Sequence, residues 1–192
     1  MRRRRRALPR LRRQVANQAI VRRLTALPAY RRARTLALYW PADGEADVRA
    51  LAVHARARGK RVYLPAVGHA GKMHFAPWPR GARLRRNRYG IPEPVGGRRA
   101  SAALLDLVLM PLVAFDRQGN RLGMGGGYYD RALAARRRRP MRIGVAFALQ
   151  EAAAIPAQPW DVPVEAVITE HGRRACRRTR AIPGSTCQGA GR

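Results

Sequence analysis

Between Gly119 and Arg131 the chain reads GNRLGMGGGYYDR, and this stretch is the densest concentration of chemistry-bearing positions in the sequence. Glycines 123, 125, 126 and 127 free the backbone to take unusual dihedrals and to come close to a ligand. A helix opening at Tyr128 would add unpaired N–H groups and the positive end of its dipole, which together attract an anion such as phosphate. The segment is not a Walker A loop, because no Gly-Lys-Ser/Thr follows, and its glycines are not spaced as a dinucleotide fingerprint. A tight strand-to-helix turn without a ligand is the alternative that loop chemistry alone leaves open.

The elements around it read as an alternating α/β pattern. Apolar residues at Leu11, Val15 and Ala19, then at Ile20, Leu24 and Leu27, predict an amphipathic helix from Arg10 to Leu27, ended by Pro28. Thr35–Trp40 reads as a buried strand, Val48–Arg58 as a helix stopped by Gly59, and Arg61–Pro65 as a second strand, a β-α-β unit with parallel strands. Met73–Trp78 is a further strand, and Pro79–Gly97, rich in Pro, Gly and Arg, is a long loop of the kind that often carries function. Asp106–Asp116 reads as one strong buried strand, with the glycine loop directly after it. A helix from about Tyr128 to Arg138, a strand over Met141–Ala148 and a last strand over Glu165–Glu170 complete the pattern. The fold class is therefore an open, mostly parallel sheet with helices on both faces, which sets the glycine loop at the carboxyl end of a strand, where such sheets bind ligands. The reading gives one domain over residues 1–170 and a basic, disordered tail over 171–192.

With 192 residues, 46% hydrophobic and 27% charged, the chain is long enough for one domain with a substantial core. Its formal charge of +29 raises nucleic acid or an anionic membrane as partners. Yet 38 arginines stand beside only Lys60 and Lys72, spread through every element, and aromatic residues make up 6% of the chain, too few for a base-stacking platform. Neither nucleic acid nor a membrane is the expected partner. Cys176 and Cys187 give neither a disulfide framework nor a zinc pattern, which fits a reducing cytoplasm. The longest apolar run, Leu107–Phe115, is too short to span a bilayer. The four histidines, His54, His69, His74 and His171, receive no catalytic assignment, and Asp116 and Arg131 read as turn and surface residues.

GNRLGMGGGYYDR resembles the signature of the 5-formyltetrahydrofolate cyclo-ligase family, also called methenyltetrahydrofolate synthetases. LYWPADGEAD (Leu38–Asp47), GKRVYLP (Gly59–Pro65), YGIPEP (Tyr89–Pro94), LVLMPLVAFD (Leu107–Asp116) and PWDVPVEAVITE (Pro159–Glu170) follow in the family's order. The resemblance implies a NagB/RpiA-like α/β fold and conversion of 5-formyltetrahydrofolate to 5,10-methenyltetrahydrofolate with ATP as co-substrate and Mg²⁺ as cofactor; the sequence itself does not decide the oligomeric state, and a monomer is the expectation. Carried over residue by residue, it implies that Arg121, Leu122, Gly123, Met124, Gly125, Gly126, Gly127, Tyr128 and Tyr129 bind ATP, with Arg121 and Tyr129 in the catalytic role. It places folate against Met124–Tyr128 and against Trp40, Glu45 and Tyr89, and Mg²⁺ at Asp130 and Asp161, since carboxylates suit that hard ion. On the residues alone, Asp130 is as well explained as an acidic helix start, Asp161 as a turn residue, Trp40 as core and Tyr89 as a loop anchor.

Two departures accompany the resemblance. Family members begin with a helix bearing a lysine and, four residues later, an arginine that reach ATP, and the register of Leu8-Pro9 puts those positions before Met1. Where some members carry lysine, this chain has Gly126.

Overall fold

The computed structural model describes residues 1–68, 71–134 and 140–176. The chain opens with α1 (Arg2–Arg6), α2 (Arg10–Ala26) and α3 (Pro28–Arg32), enters the sheet through β1 (Thr35–Ala37), and crosses by α4 (Arg49–Arg56) to β2 (Arg61–Val67). It returns along β3 (Met73–Pro77) and forms a hairpin of β4 (Leu84–Arg86) and β5 (Pro92–Pro94). Then come β6 (Leu107–Pro111), the short strands β7 (Ala114–Phe115) and β8 (Arg121–Leu122), α5 (Tyr128–Leu133), β9 (Met141–Val145), β10 (Ala166–Thr169) and β11 (Gly172–Ala175).

Seven strands form one sheet in the order β11-β10-β9-β6-β1-β2-β3. The inner strands from β2 to β10 run parallel, and β3 and β11 close the two edges antiparallel. Period-2 alternation explains the core. Leu36, Leu38, Leu107 and Leu109 face one side, where α2, α3 and α4 bring Ile20, Leu24, Tyr30 and Leu51 against them. Ala37, Val108 and Met110 face the other, covered by Leu133 of α5 and by Phe75, Phe115, Val162 and Val164.

The structure departs from the sequence reading in several places. In α2 the first apolar set is not the buried face: Leu11 and Val15 are exposed, whereas Ile20 and Leu24 are fully buried. Pro28 ends α2 and also starts α3, where its missing N–H costs nothing. The expected strand over residues 106–116 is two strands, because the Leu112 carbonyl leaves the ladder to accept hydrogen bonds from the Arg5 and Gln150 side chains. The long loop over residues 79–97 contains the β4–β5 hairpin. Gly172–Ala175 pairs with β10 where the sequence suggests a tail without structure; a polar, arginine-bearing edge strand shows no apolar alternation to reveal it. Residues 177–192 of that tail, His69 and the end of the helix expected to reach Arg138 lie outside the described residues. Among the described residues no helix is long and apolar enough to cross a membrane.

Candidate active site

From β1 the sheet grows one way through β2 and β3, and from its neighbour β6 the other way through β9, β10 and β11. This reversal is a switch point, where the loops leaving adjacent parallel strands separate and open a crevice at their carboxyl ends. The loop after β1 carries Trp40 and Glu45, and the chain after β6 leads to the glycine loop, so the fold brings both sequence-predicted segments to one end of the sheet.

The loop after β1 reverses at Asp43 and Gly44, with φ of 50° and 74°. The reversal tucks Glu45 inward, and its carboxylate accepts a 3.0 Å hydrogen bond from the Ala42 N–H. Burial pushes the Glu45 carboxyl up to about 7, with Asp43 adding to the rise, while the Ala42 N–H and Arg5 oppose it. The Tyr129 hydroxyl is raised as well, by burial first and then by the charge of Glu45, so the two groups share one poorly hydrated recess. Tyr39 borders this recess and spends its hydroxyl on the Ala46 carbonyl at 2.7 Å. The Tyr129 hydroxyl is buried and has no hydrogen-bond partner among the described residues. An unused buried hydroxyl costs stability, and here it offers a ligand a hydrogen-bonding position.

Asp43 is itself held by three cations of α1. Arg2 donates to it at 2.7 Å, Arg6 pairs with its other oxygen, and Arg5, 1% exposed, donates to both its carboxylate (2.9 Å) and its carbonyl (3.0 Å). The hydrogen bonds from Arg2, foremost, and then Arg6 hold the Asp43 carboxyl down at about 2 against the opposing effect of burial. The remaining Arg5 donor reaches the Leu112 carbonyl at 3.0 Å, which ties the Glu45 loop to the exit of β6. The sequence reading gave Arg5 and Asp43 no role. Nothing in a run of five arginines singles out the one that folds inward.

The glycine loop starts from a hairpin rather than directly from the core strand. β8 pairs back on β7, and the Val113 N–H donates to the Leu122 carbonyl at 2.7 Å. Gly125 and Gly127 then take φ of 86° and 58°, values a side chain resists, and a Cβ on Gly126 would stand 2.7 Å from the Tyr128 ring. None of the backbone N–H groups of residues 123–127 donates a hydrogen bond among the described residues. Arg131, read from sequence as a surface residue, is exposed yet braces the loop: it donates to the Gly126 carbonyl at 2.8 Å and lies 5.2 Å from the centre of the Tyr128 ring.

Below the loop, the buried Arg121 guanidinium donates to Asp130 at 2.6 Å, and its Nε finds no partner among the described residues. Burial lowers the Arg121 pKa, opposed by Asp130, Tyr129 and Asp161. The same Asp130 oxygen accepts the Val162 N–H at 3.0 Å, which draws the Asp161 turn against α5. One Asp161 oxygen accepts the Gln158 N–H at 2.8 Å. Asp130 Oδ2 and Asp161 Oδ1 accept no hydrogen bond among the described residues, and carboxylate oxygens are the donor type that a hard divalent cation takes. No group of three His, Cys, Asp or Glu side chains arranged for a metal occurs among the described residues.

Tyr89 meets the glycine loop from the other side. Its hydroxyl lies 2.5 Å from that of Tyr128, with the rings edge-on and 6.1 Å apart. Arg88, unremarked in the sequence reading, donates to the Tyr128 hydroxyl at 2.7 Å and lies over the Tyr89 ring. Met124 stands exposed at the loop tip. Trp40 is half-buried, and its ring contacts are with Trp78, at 5.8 Å, and with the Arg49 guanidinium, so it sits on the rim of the core.

The class that this geometry defines is a mixed α/β protein with a mainly parallel sheet and its candidate site on the loops of the sheet's switch point. The chain belongs to the 5-formyltetrahydrofolate cyclo-ligase family, whose pattern it matches over residues 1–170, and it is an enzyme of that family. It is 38% identical over 176 residues to the 5-formyltetrahydrofolate cyclo-ligase of Escherichia coli, covering 88% of this chain and 96% of that one. The Haemophilus influenzae protein of the same name is 35% identical over 155 residues, 78% of this chain and 82% of its own. Among solved structures, the 5,10-methenyltetrahydrofolate synthetase of Aquifex aeolicus superposes with a TM-score of 0.81 at 31% identity, covering 98% of this chain and 95% of that one.

Proposed function

We propose that the chain converts 5-formyltetrahydrofolate to 5,10-methenyltetrahydrofolate, consuming ATP with Mg²⁺ and releasing ADP and phosphate. A formamide is a poor electrophile, because its nitrogen lone pair is delocalised into the carbonyl, and ring closure must expel its oxygen. Attack of the formyl oxygen on the γ-phosphorus turns that oxygen into part of a phosphate leaving group. The 10-position nitrogen then attacks the iminium carbon and gives up its proton, the carbon–oxygen bond breaks, and phosphate departs. The protein must hold two ligands in line and balance phosphate charge.

The observation that carries this reading is the juxtaposition of the unused N–H groups of residues 123–127 with the Glu45–Tyr129 recess. The N–H groups would receive the triphosphate, with Arg121 supplying a cation whose Nε is already free of partners. Glu45, once ionised, would accept hydrogen bonds from the pterin amino group and ring N–H. The Tyr129 hydroxyl, kept protonated by burial, would donate to an oxygen between the two ligands. Tyr89 and Tyr128 would flank the aminobenzoyl part of the substrate. Asp130 and Asp161 would hold Mg²⁺, which when bound neutralises phosphate charge. The NagB/RpiA-like label belongs to the same proposal, supported by the strand order that grows both ways from β1 and β6.

The test is the absorbance of methenyltetrahydrofolate on mixing purified protein with 5-formyltetrahydrofolate, ATP and Mg²⁺. Product that appears only when all three are present is the expected result. Binding of folate without product would reduce the proposal to a folate-binding protein.

A further inference from the structure

Where the chain leaves β6 for β7, the carbonyls of Leu112 and Val113 are buried and accept no backbone N–H among the described residues. Two such groups left unpaired would be costly. Gln150, 1% exposed, answers both: its Nε2 donates to the Leu112 carbonyl at 2.7 Å and to the Val113 carbonyl at 3.1 Å. Its Oε1 accepts the Phe147 N–H at 2.9 Å. The opposite amide orientation would aim an oxygen at two carbonyls, so the partners fix which way the side chain lies. Gln150 ends the single turn Ala148–Gln150 that follows β9, and Phe147 before it is fully buried, so the amide stands on the central sheet.

The two carbonyls lead to different halves of the candidate site. The Val113 N–H donates to the Leu122 carbonyl at 2.7 Å, at the root of the glycine loop. The Leu112 carbonyl also takes Arg5 at 3.0 Å, and Arg5 holds Asp43 at the reversal that tucks Glu45 inward. One amide therefore joins the loop proposed for the triphosphate to the loop proposed for the pterin. The far end of the β7–β8 hairpin is tied separately, by the Ala152 N–H to the Phe115 carbonyl at 2.8 Å and by the Ile155 N–H to Asp116 at 3.0 Å. Those ties keep the hairpin in place, and Gln150 sets its root.

We infer that Gln150 is a positioning residue for the phosphoryl transfer, fixing the glycine loop and the Glu45 loop against each other and so the γ-phosphorus against the formyl oxygen. The inference rests on the proposed function. Each ligand meets its own loop, so loss of the brace leaves either ligand able to bind by itself and misplaces one reactant relative to the other. A misplacement of about 1 Å costs about a hundredfold in rate. Satisfying two buried carbonyls for stability alone predicts no such loss.

The test compares three variants with the parent. Gln150→Met is close in length and deletes both donated bonds. Gln150→Glu keeps one of them, because a carboxyl buried beside two carbonyls stays protonated. Ile20→Val, a core change on α2 across the sheet, reports what lowered stability alone does to turnover. Turnover is expected to fall about thirtyfold in Gln150→Met, by less in Gln150→Glu and not at all in Ile20→Val. The dissociation constants of 5-formyltetrahydrofolate and of ADP, each measured alone by calorimetry, should stay within about threefold of the parent's. Unchanged turnover in Gln150→Met, an equal loss in Ile20→Val, or a loss of turnover matched by weaker binding of one ligand overturns the inference and leaves the proposed function standing. If circular dichroism shows that Gln150→Met does not fold, Gln150→Glu decides by the same criteria. If the parent forms no product, the proposed function fails, and this inference fails with it.

Discussion

The hydroxyl oxygens of Tyr89 and Tyr128 lie 2.5 Å apart although the two residues are 39 positions apart in the chain, and this contact joins the Pro-rich segment to the start of α5. It closes the candidate site on one side with two aromatic faces at 72° to each other. Tyr89 is more than half exposed, so little of its stabilising effect comes from burial.

Tyr89→Ala is therefore expected to leave the melting temperature nearly unchanged while raising KM for 5-formyltetrahydrofolate about tenfold, the cost of losing one stacked aromatic face. KM for ATP should move by less than about twofold. Steady-state kinetics with each substrate varied in turn provides the check, and a matching rise in both constants would place Tyr89 outside the folate site.

Glu45 predicts a pH dependence with two opposite signs. In the folded state its carboxyl titrates at about 7 instead of 4.5, so between those values the folded state keeps a proton that the unfolded chain has lost. Rising pH through that window thus disfavours folding, and Glu45→Gln should remove this slope, a gain of about 3 kcal/mol at most above neutrality. Folate binding runs the other way if Glu45 accepts the pterin donors as proposed, since they need the carboxylate. Affinity should increase from about pH 6 to about pH 8 with release of a proton on binding, and Glu45→Gln should bind weakly with no such trend. Calorimetry in buffers of different ionisation enthalpy measures the proton directly.

Asp130 pairs with Arg121 through one oxygen, and its other oxygen is the one proposed to hold Mg²⁺. Asp130→Asn should lower turnover about tenfold or more and raise the Mg²⁺ concentration needed for half-activation, because an amide is a weaker ligand than a carboxylate. A turnover loss that saturating Mg²⁺ does not relieve in any degree, with unchanged half-activation, would leave Asp130 as a partner of Arg121 alone.

The parts of the fold legible in the sequence are those that obey a period. β1, β6, β9 and β10 announce themselves because buried strands of a parallel sheet are largely apolar on both faces, and β2 does so by the alternation of buried Val62, Leu64 and Ala66 with less buried neighbours. β4 and β5 are three residues each, with Pro92 and Pro94 in one of them, and β8 is two residues long, so no window contains a pattern. In the site, the glycine loop is legible as backbone chemistry. Glu45, Tyr129 and Asp161 are polar residues whose meaning depends on burial and on partners far along the chain. Only a family pattern could single them out. Arg88 and Arg131 were hidden by composition, since one arginine among 38 carries no signal until its partner is known.

Arg5 is the sharpest case of that kind, and its geometry gives the last prediction. Its three donor groups fasten the Asp43 carboxylate and carbonyl to the Leu112 carbonyl, so one buried side chain holds the Glu45 loop against the chain that leads from β6 to the glycine loop. Arg5→Met keeps the aliphatic bulk and deletes those bonds. Losing hydrogen bonds to a charged group is expected to cost about 2 kcal/mol of unfolding free energy, read as a lower urea midpoint. A purely structural role would end there. Arg5 also holds the Glu45 carboxyl down, so its removal should let that carboxyl climb above about 7 and shift the pH profile of folate binding upward. Arg5→Lys keeps the charge but not the planar fork, and it should restore the pH profile more fully than the stability. Unfolding curves and folate binding from about pH 6 to about pH 9 for the three proteins separate the two effects. A profile that stays in place in Arg5→Met would confine Arg5 to bracing the loop.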